Sequence, residues 1–236
     1  MEKFLYLTLN ILTISYPLIR SFEHRIQYAS KWYALFPAIA FSGLIFIVWD
    51  HWFTVIGVWE FNPRYITGIY FFELPIEEWL FFLTVPFACI FIYEVLNYFI
   101  KKDILGKIAK PLTFVLIAAF LIIGLMNLDK WYTSVNFLVA TLTLSIHFIL
   151  FQDKYLGRFY LAYLVSLIPF FLVNGILTGS FIEEPVVIYN NVENLGIRLF
   201  TIPIEDTVYS MTLLLMTLTV YERIRITKTI SKVTSL

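Results

Sequence analysis

Seven runs of apolar residues, at about 4–19, 33–49, 75–100, 111–128, 131–151, 159–178 and 203–220, leave few folds open to this chain. A bilayer core contains no water to satisfy backbone N–H and C=O groups, so a chain that crosses it must satisfy them within helices or a closed barrel. Runs this long and unbroken fit helices of roughly 20 residues. Composition agrees, with 60% hydrophobic and 14% charged residues and a mean hydropathy of +0.80, well outside the range of soluble domains. We therefore expect an all-α polytopic membrane protein of about seven helices. The first two runs are short for a full crossing and are expected to extend into their flanks. The opening MEKFLYLTLNILTISYPLIR has neither a basic leader nor a small-residue cleavage site, which predicts a retained span rather than a signal peptide.

Basic residues orient the helices. Arg20, Arg25 and Lys31 follow the first run, Lys101, Lys102, Lys107 and Lys110 the third, Lys154 and Arg158 the fifth, and Arg223, Arg225, Lys228 and Lys232 the last. Thirteen of the 17 lysines and arginines thus gather at one face, leaving Lys3, Arg64, Lys130 and Arg198 at the other. The positive-inside rule then predicts a cytoplasmic-membrane protein with its N-terminus outside and its C-terminus inside.

Residues 58–94 align without gaps on residues 186–222, with 11 identities in 37 positions. Chance pairing at this composition gives roughly three. The identities include Asn62/Asn190, Gly68/Gly196, Pro75/Pro203, Glu77/Glu205, Thr84/Thr212 and Glu94/Glu222. An odd number of spans inverts the following copy unless another span intervenes, and the fourth run is that span. The expected layout is a first three-helix repeat at 1–102, a connector helix at 103–130 and a second, parallel three-helix repeat at 131–236.

Each repeat carries a proline followed by paired acids, LPIEE at 74–78 and IPIED at 202–206. Proline suits the first helical position, and acids in the first turn complement the helix dipole. A solvated helix start would explain one such motif. Two of them related by pseudo-symmetry can converge on one axis, where ionisable groups in a membrane bundle serve function. Carboxyls sharing a dry site separate into a proton donor and an acceptor. Glu77, Glu78, Glu205 and Asp206 are therefore the candidate catalytic residues. Arg198 is placed to hold one carboxylate, Thr84 and Thr212 lie two turns deeper on the Glu77 and Glu205 faces, and Asp50, with His51, ends the second run near the same depth.

Other residues read as structural. Asn62 and Asn190 are expected to fix loops through side-chain-to-backbone bonds. The Tyr93-Glu94 and Tyr221-Glu222 pairs lie 17 residues past the motif acids, about 25 Å along a helix, so they belong to the opposite face with its lysines and arginines. The one cysteine, Cys89, lies in an apolar run and His147 has no second histidine at ligand spacing, so no metal site is expected.

The segments GIYFFELPIEEWLFF and GIRLFTIPIEDTVYS, each leading into a span that ends Tyr-Glu, resemble the membrane-integral lycopene cyclases of the heterodimeric bacterial, archaeal and fungal type, with the two halves fused in one chain. That resemblance covers nearly the whole sequence and carries the PxE(E/D) signature onto Glu77, Glu78, Glu205 and Asp206. It implies a lycopene β-cyclase of carotenoid biosynthesis, an intramolecular lyase or isomerase without net redox. The implied partners are a lipid-soluble linear carotenoid, the bilayer and other carotenoid-pathway enzymes, with no nucleic acid. No cofactor is expected, and there is no G-x-G-x-x-G of a dinucleotide fold. The competing reading is a small-solute transporter of three-plus-one-plus-three helices, which would concentrate polar groups at mid-membrane. A retinal protein would need a lysine inside the last run, and 203–220 has none.

Overall fold

The computed structural model describes residues 2–234, with side chains through residue 228; the side chain of Lys232, one of the basic tail residues, lies outside them. Seven helices carry the fold: α1 (Leu5–Arg20), α2 (Trp32–Val55), α3 (Ile76–Phe99), α4 (Gly106–Met126), α5 (Trp131–Phe151), α6 (Leu156–Leu177) and α7 (Ile204–Thr234). The protein is an all-α polytopic membrane protein, with five helices among the described residues long and apolar enough to cross a bilayer. Helices α1 and α7 fall outside that group. With 16 residues, α1 rises only about 24 Å, less than the roughly 30 Å of a hydrocarbon core. The second run does extend as expected, α2 reaching 24 residues.

Helix α3 packs against α1, α2 and α6, and α7 against α2 and α5. Helix α4 lies outside this core against α5 and α6; only 17% of its most apolar stretch is buried, against 44% for α2, α3 and α5. About half of its residues are exposed on the outside of the bundle, the apolar ones among them suited to lipid.

The loops at the motif end fold into a small cap that hydropathy does not announce. Strands β1 (Trp59–Phe61) and β4 (Val187–Tyr189) pair antiparallel, joining the loop before α3 to the loop before α7. The exchange is reciprocal: Asn62 N donates to Val186 O at 2.8 Å, and Asn190 N to Val58 O at 2.9 Å. The two asparagines do fix these loops, each side-chain oxygen accepting from the backbone N–H two residues on, at Arg64 (3.0 Å) and Val192 (3.1 Å). Two further hairpins follow, β2 (Tyr70–Phe71) with β3 (Leu74–Pro75) and β5 (Arg198–Leu199) with β6 (Ile202–Pro203). The motif prolines therefore end hairpins. Pro75 is the N-cap of α3 (φ −64°, ψ 149°) and α7 begins at Ile204, one residue later than a proline in the first helical position would give. Extended backbone at the proline lets the following N–H turn back, Ile76 to Ile69 O and Ile204 to Ile197 O.

The opposite end of the bundle is tied by a second buried polar cluster. Tyr93 donates to Glu222 at 3.0 Å and Tyr221 to Glu94 at 2.7 Å, a reciprocal exchange between α3 and α7. Arg225 bridges both carboxylates at 2.9 Å, and Lys31 pairs with Glu94. These acids have the structural role expected from their distance to the motif.

Candidate functional site

Neighbouring residues on a helix point about 100° apart, so each motif pair divides. Glu77 and Glu205, both fully buried, turn back toward the loops that precede their helices. Glu77 Oε1 accepts from Thr67 N at 2.8 Å; Glu205 Oε1 accepts from Leu195 N and from Thr133 Oγ1, each at 2.7 Å. Thr67 and Leu195 occupy equivalent places 128 residues apart. The carbonyls of these two glutamates are held from the first helix of each half, by Asn10 Nδ2 at 3.0 Å and Asn136 Nδ2 at 2.7 Å.

Glu78 and Asp206 point the other way, into a cavity of about 530 Å³. Asp50, near the end of α2, lines the same cavity, and all three carboxyls are more than nine-tenths buried. Below them the walls are almost wholly apolar: Leu9, Leu12 and Tyr16 of α1, Phe81, Val85 and Ile92 of α3, Leu167, Phe170 and Val173 of α6, and Leu213 and Leu214 of α7. The cavity follows α3 from Glu78 to Ile92, about 21 Å at 1.5 Å per residue. Several residues along its α1 and α6 sides are exposed on the bundle surface, among them Leu12, Tyr16 and Leu172. It is thus a groove flanked by α1 and α6, floored by α3 and roofed at the acidic end by the cap residues Trp59, Phe61, Val187 and Tyr189.

The two halves dress their acids similarly but not identically. Tyr6 of α1 donates to Glu78 Oε2 at 2.5 Å, and its counterpart Tyr132 of α5 donates to Asp206 Oδ1. Asp206 Oδ2 also accepts from Asn174 Nδ2 at 2.7 Å and from the Tyr189 hydroxyl at 2.9 Å. Burial first, then the adjacent Asp206 carboxyl, push the Tyr189 phenol well above its ordinary value near 10, so it remains a hydrogen donor at physiological pH. Asp50 and Tyr209 are buried neighbours, yet among the described residues neither Asp50 Oδ2 nor the Tyr209 hydroxyl makes a hydrogen bond of good geometry. Among the described residues no lysine or arginine forms an ion pair with Asp50, Glu78 or Asp206.

Aromatic rings enclose this acidic end. Trp59 meets Tyr132 edge-on at 5.2 Å, Tyr132 stacks on Tyr189 at 5.7 Å, and Tyr209 lies 5.0 Å from Trp49 and 4.9 Å from Phe46. Of these rings Trp59, Tyr132, Tyr189 and Tyr209 line the cavity, and aromatic rings attract a cation.

Of the supporting residues expected from sequence, Asp50 reaches the site. Thr84 contributes from one step away, donating to Asn10 Oδ1 at 2.7 Å, whereas Thr212 bonds its own helix at Val208 O. Among the described residues Arg198 holds no carboxylate: its guanidinium bonds Thr201 O and Asn191 Oδ1 and lies over the Tyr189 ring at 5.9 Å. His51 Nδ1 meets Phe72 O at 2.6 Å in the first hairpin. Sequence reasoning missed Tyr6, Tyr132, Tyr189, Tyr209, Asn10, Asn136 and Asn174. A signal existed for four of them: Tyr6-x-x-x-Asn10 in α1 recurs as Tyr132-x-x-x-Asn136 in α5, at an offset of 126 rather than 128.

A family model described as lycopene cyclase matches residues 3–96 and 129–224, about four fifths of the chain in two stretches that each contain one acidic motif. No curated protein and no solved structure matches the chain.

Proposed function

The chain belongs to the lycopene cyclase family, a carotenoid cyclase carried in a membrane, and from that premise we propose that it is a lycopene β-cyclase that closes linear carotenoid ends into ionone rings by acid–base isomerisation. The observation that carries this reading is the convergence of Glu78, Asp206 and Asp50 on one closed end of an apolar groove. A linear polyene is insoluble in water and must arrive from the bilayer, and the groove between α1 and α6 supports lateral entry with one end of the substrate reaching the acids. A carboxyl adds a proton to the terminal alkene, an internal alkene attacks the resulting tertiary cation to close a six-membered ring, and a carboxylate removes a proton to leave the β ring. Substrate and product are isomers, so no hydride is consumed. The rings of Trp59, Tyr132 and Tyr209 lie where they would stabilise the intermediate cation. Glu77 and Glu205 serve this site indirectly, by fixing the loops that form its roof. A transporter draws less support, because the polar residues gather at one end of the groove rather than at mid-membrane.

In a lycopene-accumulating host, expression of this chain alone is expected to yield monocyclic or bicyclic carotenoid, and its membranes to do the same without added flavin or nicotinamide. Unchanged lycopene alongside folded, membrane-inserted protein would falsify the cyclase assignment. On the basic asymmetry, we also take the acidic end to be extracytoplasmic and the C-terminus cytoplasmic. Fusions after Leu236 to a reporter active only in the cytoplasm are expected to be active; activity confined to a periplasmic reporter would reverse the topology.

A further inference from the structure

The two halves differ at one position in a way that assigns the direction of proton flow. Asp50 and Asn174 are counterparts: each lies near the end of the second helix of its half, and each has its carbonyl capped by a threonine four residues on, Thr54 Oγ1 to Asp50 O and Thr178 Oγ1 to Asn174 O, both at 2.9 Å. The first half therefore brings two carboxyls, Asp50 and Glu78, to the cavity, whereas the second brings one carboxyl and one amide.

Hydrogen-bond accounting separates the acids. Both oxygens of Asp206 accept from fixed donors, Tyr132 on one and Asn174 and Tyr189 on the other, which is the environment of a carboxylate that will receive a proton. Asp50 has only the Tyr209 hydroxyl near it as a side-chain donor, with no hydrogen bond of good geometry at its sealed Oδ2, although the residue is 97% buried and lines the cavity. A carboxyl with so few donors around it favours its protonated form over the carboxylate, the reverse of Asp206. Glu78, held by Tyr6, lies within electrostatic range of Asp50 and belongs to the same half.

We propose that Asp50 protonates the terminal alkene of the substrate and that Asp206 takes the proton released when the ring forms, a division of labour that rests on the cyclase reading. The step balances. The Asp50 O–H breaks as a C–H forms on the terminal alkene, the internal alkene's π electrons close the C–C bond, and a ring C–H breaks to leave a new C=C and a proton on Asp206. The enzyme is then one proton short at Asp50 and one in excess at Asp206. The cycle closes when the proton on Asp206 returns to Asp50 by way of the cavity that both acids line.

The test compares Asp50→Asn, Asp50→Glu and Asp206→Asn with wild type in a lycopene-accumulating host, scoring product per membrane-inserted protein and the isomer of the ring formed. Loss of the donor slows the first step and leaves the choice of proton lost later unchanged. Asp50→Asn is therefore expected to lose at least about 100-fold in total product, with its residual product still the wild-type ring isomer, and Asp50→Glu to recover a measurable part. Loss of the acceptor instead leaves the cation to shed a proton elsewhere, so the residual product of Asp206→Asn is expected to be enriched in other ring isomers. A folded Asp50→Asn variant within about 3-fold of wild type, or one that alters the isomer as Asp206→Asn does, overturns the assignment and leaves the cyclase reading standing. Absence of product from wild type overturns both.

Discussion

Glu78→Gln and Asp206→Asn are each expected to lower cyclised product per membrane-inserted protein by about 10²- to 10⁴-fold, the usual worth of positioned acid–base groups. Each substitution keeps the volume of the side chain and one carbonyl oxygen, so Tyr6 can still donate to residue 78 and Tyr132 or Tyr189 to residue 206. What disappears is the negative charge facing the cation and, at residue 206, an oxygen able to take up a proton. Among the described residues neither acid has a lysine or arginine partner, so no such cation is left unpaired by the change and the folded state should tolerate it. Immunoblot of inserted protein with pigment chromatography measures both quantities. Turnover near wild type in both variants would move the chemistry away from this cavity.

Much of this was legible in the sequence because lipid imposes few rules. Apolar runs give helices, and most helix ends fell within a few residues of the runs; α2 extends through Asp50 to Val55, α4 starts earlier at Gly106, and α7 continues beyond its run to Thr234. The motif acids were legible as a group because they repeat at a constant offset. Their division into Glu78 and Asp206 facing the cavity and Glu77 and Glu205 facing the loops was not, since both members of each pair fall in the first turn and only packing of α1 and α5 against them decides which side is inward. The tyrosines escaped for a related reason. The two halves correspond at an offset of 126 in the first helix, 124 in the second and 128 in the third, as Tyr6/Tyr132, Asp50/Asn174 and Glu78/Asp206 show. Loops of unequal length shift the register between helices, so an ungapped alignment recovers one helix and loses the others. The cap was invisible for a different cause. Its first hairpin turns through Phe72 and Glu73 with φ of 49° and 60°, and its second through Phe200 with φ 59°, where sequence reading looks for Asn-Gly or Asp-Gly. No residue type there signals a left-handed turn.

Those glutamate bonds lead to an opposite expectation for the other member of each pair. Replacing Glu205 by Leu leaves Leu195 N and Thr133 Oγ1 without their acceptor, at about 1–3 kcal/mol for each buried group left unsatisfied. Against a domain stability of roughly 5–15 kcal/mol that is a large loss. We expect Glu205→Leu to show sharply reduced inserted protein and a lower unfolding temperature in detergent, and Glu205→Gln to restore most of both, because the glutamine carbonyl can still accept from Leu195 N. Turnover per folded molecule should remain within a few-fold of wild type in Glu205→Gln, since Glu205 does not line the cavity. The same comparison at Glu77, where Thr67 N is the donor, should show a smaller loss because one bond is broken rather than two. The decisive quantity is the ratio of turnover to folded protein. Should Glu205→Gln fold normally and yet lose turnover as severely as Asp206→Asn, then the buried Glu205 takes part in proton transfer itself, and the separation of catalytic from loop-holding acids within each motif is wrong.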